Sequence, residues 1–336
     1  MTVLPPPRPV AAWLPAAAAA TTLLLWASAF VAIRHLGETV NPGALSLGRL
    51  VVAAAALGVL LALRPRRTSG SAAGRRPRWP IGRQWWLMLV CGTAWFGVYN
   101  LALNESERRI DAGTAAMLVQ VGPLLVAVLA VLFLGEVFSR WVLAGVLVGL
   151  SGIVVIGTAM AEGSNGDLIG VLLGVLAAAT YAIGVVTQKP LVRTLPAMEV
   201  TWLACVIGAV VCLPWAGDLV EVVRTADAAT LWLLGYLGLF PTALAFTTWA
   251  FALHHFDASR LSILTFLVPV LTVVIAWATL GETPPVAAYL GGALCVVGVL
   301  LSRRRPAAVR PVVGSAAASE ESASRPATDD GAGVAR

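Results

Sequence analysis

Residues 111–136, DAGTAAMLVQVGPLLVAVLAVLFLGE, and residues 257–282, DASRLSILTFLVPVLTVVIAWATLGE, decide the fold of this chain. The two stretches lie 146 residues apart and align without a gap. They share Asp-Ala at the start, a proline in the middle and Leu-Gly-Glu at the end. Internal similarity of this kind is typical of proteins built from two related halves. We therefore predict an internal repeat.

The similarity extends on both sides of these stretches. Gly145 and Gly152 recur as Gly291 and Gly298 at the same offset of 146 residues. A looser match relates residues 26–34, which begin Trp-Ala and end in Arg, to residues 181–189, which begin Tyr-Ala and end in Lys. The repeat thus predicts that most of the first half has a counterpart in the second.

The composition is that of a membrane protein. Hydrophobic residues make up 59% of the 336 residues and charged residues 12%, whereas soluble domains carry about 25% charged residues. The apolar residues form long runs that do not alternate with polar ones, so the runs predict helices rather than barrel strands. We predict an all-α integral membrane fold of ten transmembrane helices. They are placed at 11–34, 41–63, 84–103, 112–134, 140–160, 168–188, 198–216, 229–252, 258–280 and 285–302.

Five spans in each half have a topological consequence. Because five is odd, the second half is inverted relative to the first, as in many secondary transporters. We predict a cytoplasmic segment at 1–10, repeats at 11–160 and 161–304, and a disordered cytoplasmic tail at 305–336, which is too polar to bury a core.

The distribution of basic residues predicts the orientation. If both termini are cytoplasmic, eighteen Lys and Arg residues lie inside and four outside, and positive charge favours the cytoplasmic side. We predict a multi-pass protein of a bacterial-type inner membrane. The basic residues lie in loops beside the spans, where orientation signals are expected, and this argues against nucleic acid as a partner. A secretory signal cleaved at Ala27-Ser28-Ala29 is an alternative for the first span.

The chain resembles the EamA family of the drug/metabolite transporter superfamily over about residues 11–304. The resemblance rests on the segment beginning at Trp26, on Arg49 and on the paired Pro…Leu-Gly-Glu motifs. It implies a ten-span inner-membrane carrier, often an exporter of amino acids or other metabolites. Expected partners are a small-molecule substrate and the lipid bilayer. A monomer suffices in principle, and a homodimer is the alternative.

Several residues are candidates for the wall of a substrate cavity. Arg49 is the charged residue predicted to lie well inside a span, and it would bind an anionic group such as a carboxylate; the alternatives are snorkelling or binding of backbone carbonyls. Pro123 and Pro269 fall near the middle of their spans, where a kink would border a cavity or serve packing alone. The aromatic and amide candidates are Trp26, Tyr99, Asn100, Gln120, Tyr181 and Trp202.

No Asp or Glu lies deep in any predicted span. Asp111 and Asp257 are placed as N-caps, and Glu136 and Glu282 as structural residues at helix starts. Proton-coupled carriers commonly use a carboxylate inside the membrane. We therefore expect facilitated or exchange transport, or proton movement carried by the substrate itself.

Other functions are less consistent with this sequence. An efflux pump for drugs or toxic cations is the alternative transport function, although a cation needs a counter-charge in lipid. His254-His255 has no metal-ligand spacing, and the four cysteines have no CxxC spacing. We expect no catalytic residue, no metal and no cofactor; a sensor or scaffold has no motif in its favour.

Overall fold

A computed structural model describes residues 13–63, 79–134, 140–162, 167–256, 261, 264–265 and 267–302. Over this part of the chain helices are the only regular elements, which confirms the predicted all-α class. The α-helices are α1 Trp13–Leu36, α2 Pro42–Ala62, α3 Arg83–Cys91, α4 Tyr99–Arg109, α5 Ala112–Val119, α6 Gly122–Leu134, α7 Arg140–Glu162, α8 Leu168–Thr194, α9 Ala197–Val211, α10 Ala216–Thr225, α11 Ala228–Leu237, α12 Ala245–His255, α13 Leu267–Leu280 and α14 Val286–Ser302.

Five helices are long and apolar enough to cross a membrane. They are Trp13–Leu36, Pro42–Ala62, Arg83–Arg109, Leu168–Thr194 and Ala228–His255. A sixth span results if α9 and the segment Leu213–Thr225, which meet at a bend of 62°, are counted together. The other apolar helices are shorter. The protein therefore crosses the membrane several times, and the number ten stays a prediction.

Two π-helical segments interrupt the long helices. Gly92–Val98 joins α3 to α4, and Gly238–Leu244 joins α11 to α12. Their offset is 146 residues, the same as that between the two stretches that opened the sequence analysis. A π-helical turn widens the helix locally and frequently occurs at functional sites.

The third span is longer than predicted. Its helix continues beyond residue 103 to Arg109, although residues 104–107 are polar. Partners from other helices stabilise this extension: the Asn104 side chain donates to Ser46 Oγ at 2.8 Å, and Ser106 Oγ donates to the Gly170 carbonyl at 2.7 Å. The sequence did not predict this extension of the helix, because such partners are distant in sequence.

The predicted mid-helix kinks at Pro123 and Pro269 are not what the structure shows. A turn at Gln120 and Val121 ends α5, so Pro123 is the second residue of α6. Pro269 is likewise the third residue of α13. The first N–H groups of a helix have no partner within it, so a proline there removes no hydrogen bond. Near Pro123 a turn of two residues separates the two helices.

The largest interfaces join helices of one sequence half to helices of the other. α7 packs on α14, α1 packs on α12 and α13, α8 packs on α3, α4 and α6, and α2 packs on α9. In the part of the chain that the structure describes, the buried apolar surface is therefore shared between the halves.

Glycines allow these interfaces to be close. A Cβ added at Gly184 of α8 would lie 2.4 Å from Trp95 Cβ, and one at Gly208 of α9 would lie 2.6 Å from Phe96 Cβ. Trp95 and Phe96 belong to the first π-helical segment and are 1% and 0% exposed. The glycines thus let two large rings enter the centre of the bundle.

We expect Gly184→Ala to destabilise the protein, because the new methyl group meets the Trp95 side chain. Overpacking of this kind costs about 1–3 kcal/mol. The matched control is Gly235→Ala, since a Cβ at Gly235 of α11 meets nothing within 4 Å. Thermal unfolding of the two purified variants measures the difference. Equal melting temperatures would contradict the close approach of Trp95 to α8.

Candidate functional site

A cavity lies in the centre of the bundle, where both halves contribute to the wall. It is lined by Trp26, Ala29, Phe30, Ile33, Arg49, Trp95, Tyr99, Leu103, Val119, Gln120, Pro123, Tyr181, Phe246, Thr265 and Val268. The space open to the centres of water-sized molecules is about 40 Å³. One water needs roughly 10–15 Å³ on this measure. A few waters fit in this conformation, and a metabolite does not.

Aromatic rings form one side of the cavity. The Trp95 ring contacts the rings of Tyr181 and Phe246 edge-on, with centroids 5.3 Å and 5.1 Å apart. Trp26 lies 5.4 Å from Phe246 and 5.0 Å from Trp249. Rings in such contacts stabilise one another by about 0.5–1.5 kcal/mol per pair beyond the burial of area. The cavity therefore has a rigid, apolar wall.

Tyr181 approaches this wall where a turn separates α5 from α6. A Cβ at Gly122 would lie 2.4 Å from the Tyr181 ring. The glycine at the start of α6 thus makes room for the tyrosine, and Pro123 follows it in the cavity wall.

Arg49 is the positive charge in the cavity wall. Its side chain is 3% exposed, so it does not snorkel to the surface. Its Nε donates to Thr242 Oγ1 at 3.0 Å, and no hydrogen-bond partner is present for its buried Nη1. The alternative in which Arg49 binds backbone carbonyls is not what the described residues show. One guanidinium donor remains available inside the bundle.

The partner of Arg49 belongs to the second π-helical segment. Thr242 Oγ1 also donates to the Leu237 carbonyl at 2.7 Å. In an α-helix that carbonyl would accept from residue 241, which is a proline and has no N–H. Pro241 thus leaves a carbonyl that Thr242 satisfies, and Thr242 in turn orients Arg49. This connection joins α2 to the segment between α11 and α12.

Gln120 and Thr265 form a second polar connection across the halves. Gln120 Nε2 donates to the Thr265 carbonyl at 3.0 Å, and Thr265 Oγ1 donates to Gln120 Oε1 at 3.3 Å. Both residues line the cavity. The amide therefore binds protein on both of its polar atoms, and it ties the turn between α5 and α6 to the segment just before α13.

Six of the nine predicted site residues meet at this cavity: Trp26, Arg49, Tyr99, Gln120, Pro123 and Tyr181. The other three lie elsewhere. Asn100 donates to the Phe96 carbonyl one turn earlier in the same span at 2.7 Å. Trp202 of α9 donates to the Ala54 carbonyl of α2 at 3.1 Å. Pro269 is buried in α13. Contact of any of them with substrate stays a prediction.

Sequence reasoning missed a buried acidic residue. Because the helix of the third predicted span continues to Arg109, Glu107 belongs to that helix and is 0% exposed. Arg49 is therefore not alone as a buried charge among the described residues, whereas the absence of an Asp or Glu deep in a membrane span stays a prediction. The signal available in the sequence was a helical pattern that continues through residues 104–107. Glu107 follows Leu103, a residue of the cavity wall, by one helical turn.

Ionic contacts gather at the end of the bundle where α1 and α4 finish. Arg34 Nε binds Glu282 Oε1 at 2.8 Å, and Arg34 Nη1 donates to the Glu107 carbonyl at 2.9 Å. Asp111 Oδ1 accepts from Thr114 N at 2.8 Å, which confirms the predicted N-cap. Burial raises the pKa of the Asp111 carboxyl, and the hydrogen bonds from Thr114 oppose that rise.

Two predicted structural acids, Glu136 and Asp257, lie outside the described residues. His254 Nδ1 is 2.9 Å from the Val192 carbonyl, and the His255 ring packs on Phe251. Among the described residues no group of three or more His, Cys, Asp or Glu side chains is placed to hold a metal ion.

A family model described as the EamA-like transporter family matches residues 13–158 and again residues 168–304. The chain belongs to the EamA-like transporter family. This confirms the resemblance inferred from the sequence motifs. The central cavity, built from both matched segments, is therefore the cavity of a membrane transporter.

Curated relatives of this EamA-like transporter carry transporter names. A protein of Streptantibioticus cattleyicolor named as a probable terminal-alkyne amino-acid exporter is 34% identical over 284 residues, which cover 84% of this chain and 91% of that protein. An uncharacterized inner membrane transporter of Escherichia coli, YhbE, is 27% identical over 297 residues, which cover 84% and 89% of the two chains. A solved crystal structure that is 20% identical has a TM-score of 0.56 and covers 86% of this chain and 96% of its own. That structure shows a shared fold.

We expect Thr242→Val to destabilise this transporter, because Arg49 Nε loses its acceptor while it stays buried. A hydrogen bond to a charged group contributes about 1.5–3 kcal/mol. The control is Thr279→Val, since Thr279 is exposed and bonds only to the Ile275 carbonyl of its own helix. Chemical unfolding of the purified variants measures the difference. A change below about 0.5 kcal/mol in Thr242→Val would show that Arg49 does not depend on Thr242.

Proposed function

We propose that this transporter exports amino acids or closely related small carboxylates, and that the central cavity is the binding site. The observation that carries this proposal is the buried Nη1 of Arg49, which has no hydrogen-bond partner in a wall otherwise made largely of aromatic and aliphatic side chains. An unpaired guanidinium donor in such a place is costly unless a ligand binds it.

The chemistry of the cavity favours a carboxylate at Arg49. Guanidinium and carboxylate form the strong, charge-assisted type of hydrogen bond. The rings of Trp26, Trp95 and Phe246 offer apolar surface to the rest of the substrate. Because both polar atoms of Gln120 already bind Thr265, we infer that the substrate is anchored at one charged end and is apolar at the other.

The relatives support the same class of substrate. The Streptantibioticus cattleyicolor protein is named as an exporter of a terminal-alkyne amino acid, which combines a carboxylate with an apolar end. An efflux carrier for organic cations is the second transport function considered for this chain. A cation in this cavity would face the guanidinium of Arg49, and the repulsion favours the carboxylate proposal over it.

We further propose that transport occurs by alternating access between two inverted repeats of five spans, residues 11–160 and 161–304. Support comes from the family model, which matches each half separately, from the two π-helical segments at a common offset, and from interfaces that pair helices across the halves. In such carriers one half rocks against the other around a central site. The cavity of the present conformation is too small for a metabolite, so substrate binding requires the halves to move.

The proposed topology places both termini, 1–10 and 305–336, in the cytoplasm of a bacterial-type inner membrane. The excess of basic residues on that side supports it, as does the description of YhbE as an inner membrane transporter. One chain of this kind contains the whole cavity, so a monomer is sufficient for transport.

We expect Arg49→Gln to reduce export at least about tenfold, because a charge-assisted hydrogen bond of about 1.5–3 kcal/mol to the substrate is lost. Cells that overproduce the wild type or the variant are compared by mass spectrometry of amino acids inside and outside. The matched control is Arg224→Gln, since Arg224 is exposed on α10 and distant from the cavity in sequence.

The outcomes separate the binding role from the transport function. Export of one amino-acid class by the wild type and the Arg224 variant, with loss in Arg49→Gln, supports the proposal. Equal export by all three proteins would leave transport intact and remove Arg49 from the substrate path. No change in any amino-acid pool with all three proteins inserted would contradict amino-acid export.

A further inference from the structure

Glu107 is an acidic side chain enclosed entirely by protein. It is 0% exposed, and neither Oε1 nor Oε2 has a hydrogen-bond partner. It lies one helical turn beyond Leu103, which is part of the cavity wall, toward the end of the bundle that Arg34 occupies. The carboxyl thus sits between the cavity and the ionic contacts that close this end.

None of the described donors near Glu107 is hydrogen-bonded to its carboxyl oxygens. Arg34 Nε binds Glu282, and Arg34 Nη1 donates to the backbone carbonyl of Glu107 rather than to its carboxyl. Arg49 Nε binds Thr242. The titratable and charged groups that face Glu107 are Arg34 of α1, Arg49 of α2, Tyr99 of the same helix α4, Asp111 before α5 and Glu282 before α14.

A carboxylate in this position is costly. Removing an ionised group from water without hydrogen bonds or a paired charge is far more unfavourable than burying the neutral acid. The present conformation therefore favours a Glu107 that holds a proton. In a conformation that exposed Glu107 to water, that preference would be lost.

Arg49 connects this carboxyl to the cavity. The charges of Glu107 and Arg49 interact in the buried interior, where electrostatic interactions are stronger than in water. An ionised Glu107 would compensate the guanidinium and weaken its attraction for another anion. A protonated Glu107 leaves the guanidinium uncompensated and ready for a substrate carboxylate.

We propose that Glu107 is a proton-binding site that couples substrate movement to proton movement in the same direction. This proposal rests on the proposed binding of a substrate carboxylate at Arg49. The chemical step is a proton transfer: hydronium on one side donates its proton to a Glu107 oxygen and becomes water, and water on the other side takes the proton back. It replaces the expectation that the protein itself carries no coupling group.

Proton binding is tested without any substrate. Infrared difference spectra of the protein in vesicles, taken between acidic and alkaline buffer, report carboxyl groups that exchange protons. We expect Glu107→Gln to lose a band of protonated carboxylic acid that the wild type shows. Glu105→Gln, on the same helix but in surface contact with Arg108 and Arg109, should keep that band. Identical spectra for the wild type and Glu107→Gln would overturn the proposal.

Coupling is tested in vesicles that contain a pH-sensitive dye, with radiolabelled leucine, methionine and phenylalanine as probes. Entry of a probe into vesicles of the wild type should acidify the lumen, and the ratio of protons to probe should fall to background in Glu107→Gln but not in Glu105→Gln. Probe affinity in the wild type should rise about tenfold per unit fall in pH while one proton is taken up, and it should be independent of pH in Glu107→Gln.

The two proposals fail in different ways. Probe uptake without proton movement, or with alkalinisation of the lumen, would overturn coupling at Glu107 and leave amino-acid transport standing. No uptake of any of the three probes by the wild type would contradict the proposed substrate class. The infrared comparison would then still decide whether Glu107 binds a proton.

Discussion

A polar group inside a membrane protein must find its partner within the protein, because lipid offers none. In this chain several buried polar side chains find that partner in the other sequence half. Arg49 reaches Thr242, Gln120 reaches Thr265, and Thr22 Oγ1 reaches the Ala245 carbonyl at 3.1 Å. Each contact ties the first half to the second, and Arg49, Gln120 and Thr265 line the central cavity.

The same contacts explain why the cavity is polar in only a few places. Gln120 and Thr265 bind each other across its wall, and most of the remaining surface is aromatic or aliphatic. Trp26 Nε1 and Arg49 Nη1 of the wall have no hydrogen-bond partner, and neither do the two carboxyl oxygens of Glu107 one turn beyond it. Of these, the two charged groups are the most costly to leave unpaired. Groups left unsatisfied in a low-dielectric interior are expected where a ligand or a proton binds.

Proline and π-helical turns shape the wall around these groups. Pro241 removes the N–H that would bond to Leu237, and Thr242 takes its place as donor while it also binds Arg49. The turn at Gln120 and Val121 places Pro123 in the first turn of a new helix, and Gly122 leaves room for the Tyr181 ring. Local departures from the regular α-helix therefore provide the space and the orientation that the cavity needs, at points where helices of both halves meet.

The sequence by itself determined the class of the protein. Long apolar runs require helices in lipid, and the repeated Pro…Leu-Gly-Glu motifs indicated the family that the comparison confirmed. Six of the nine site candidates were found because polar and aromatic residues are rare inside apolar runs and are easily recognised. Tertiary structure alone decided that Trp202 packs between helices, that Pro123 begins a helix, and that Glu107 is buried. The physical reason is that burial and hydrogen-bond partners depend on residues distant in the chain, whereas hydropathy depends only on neighbours.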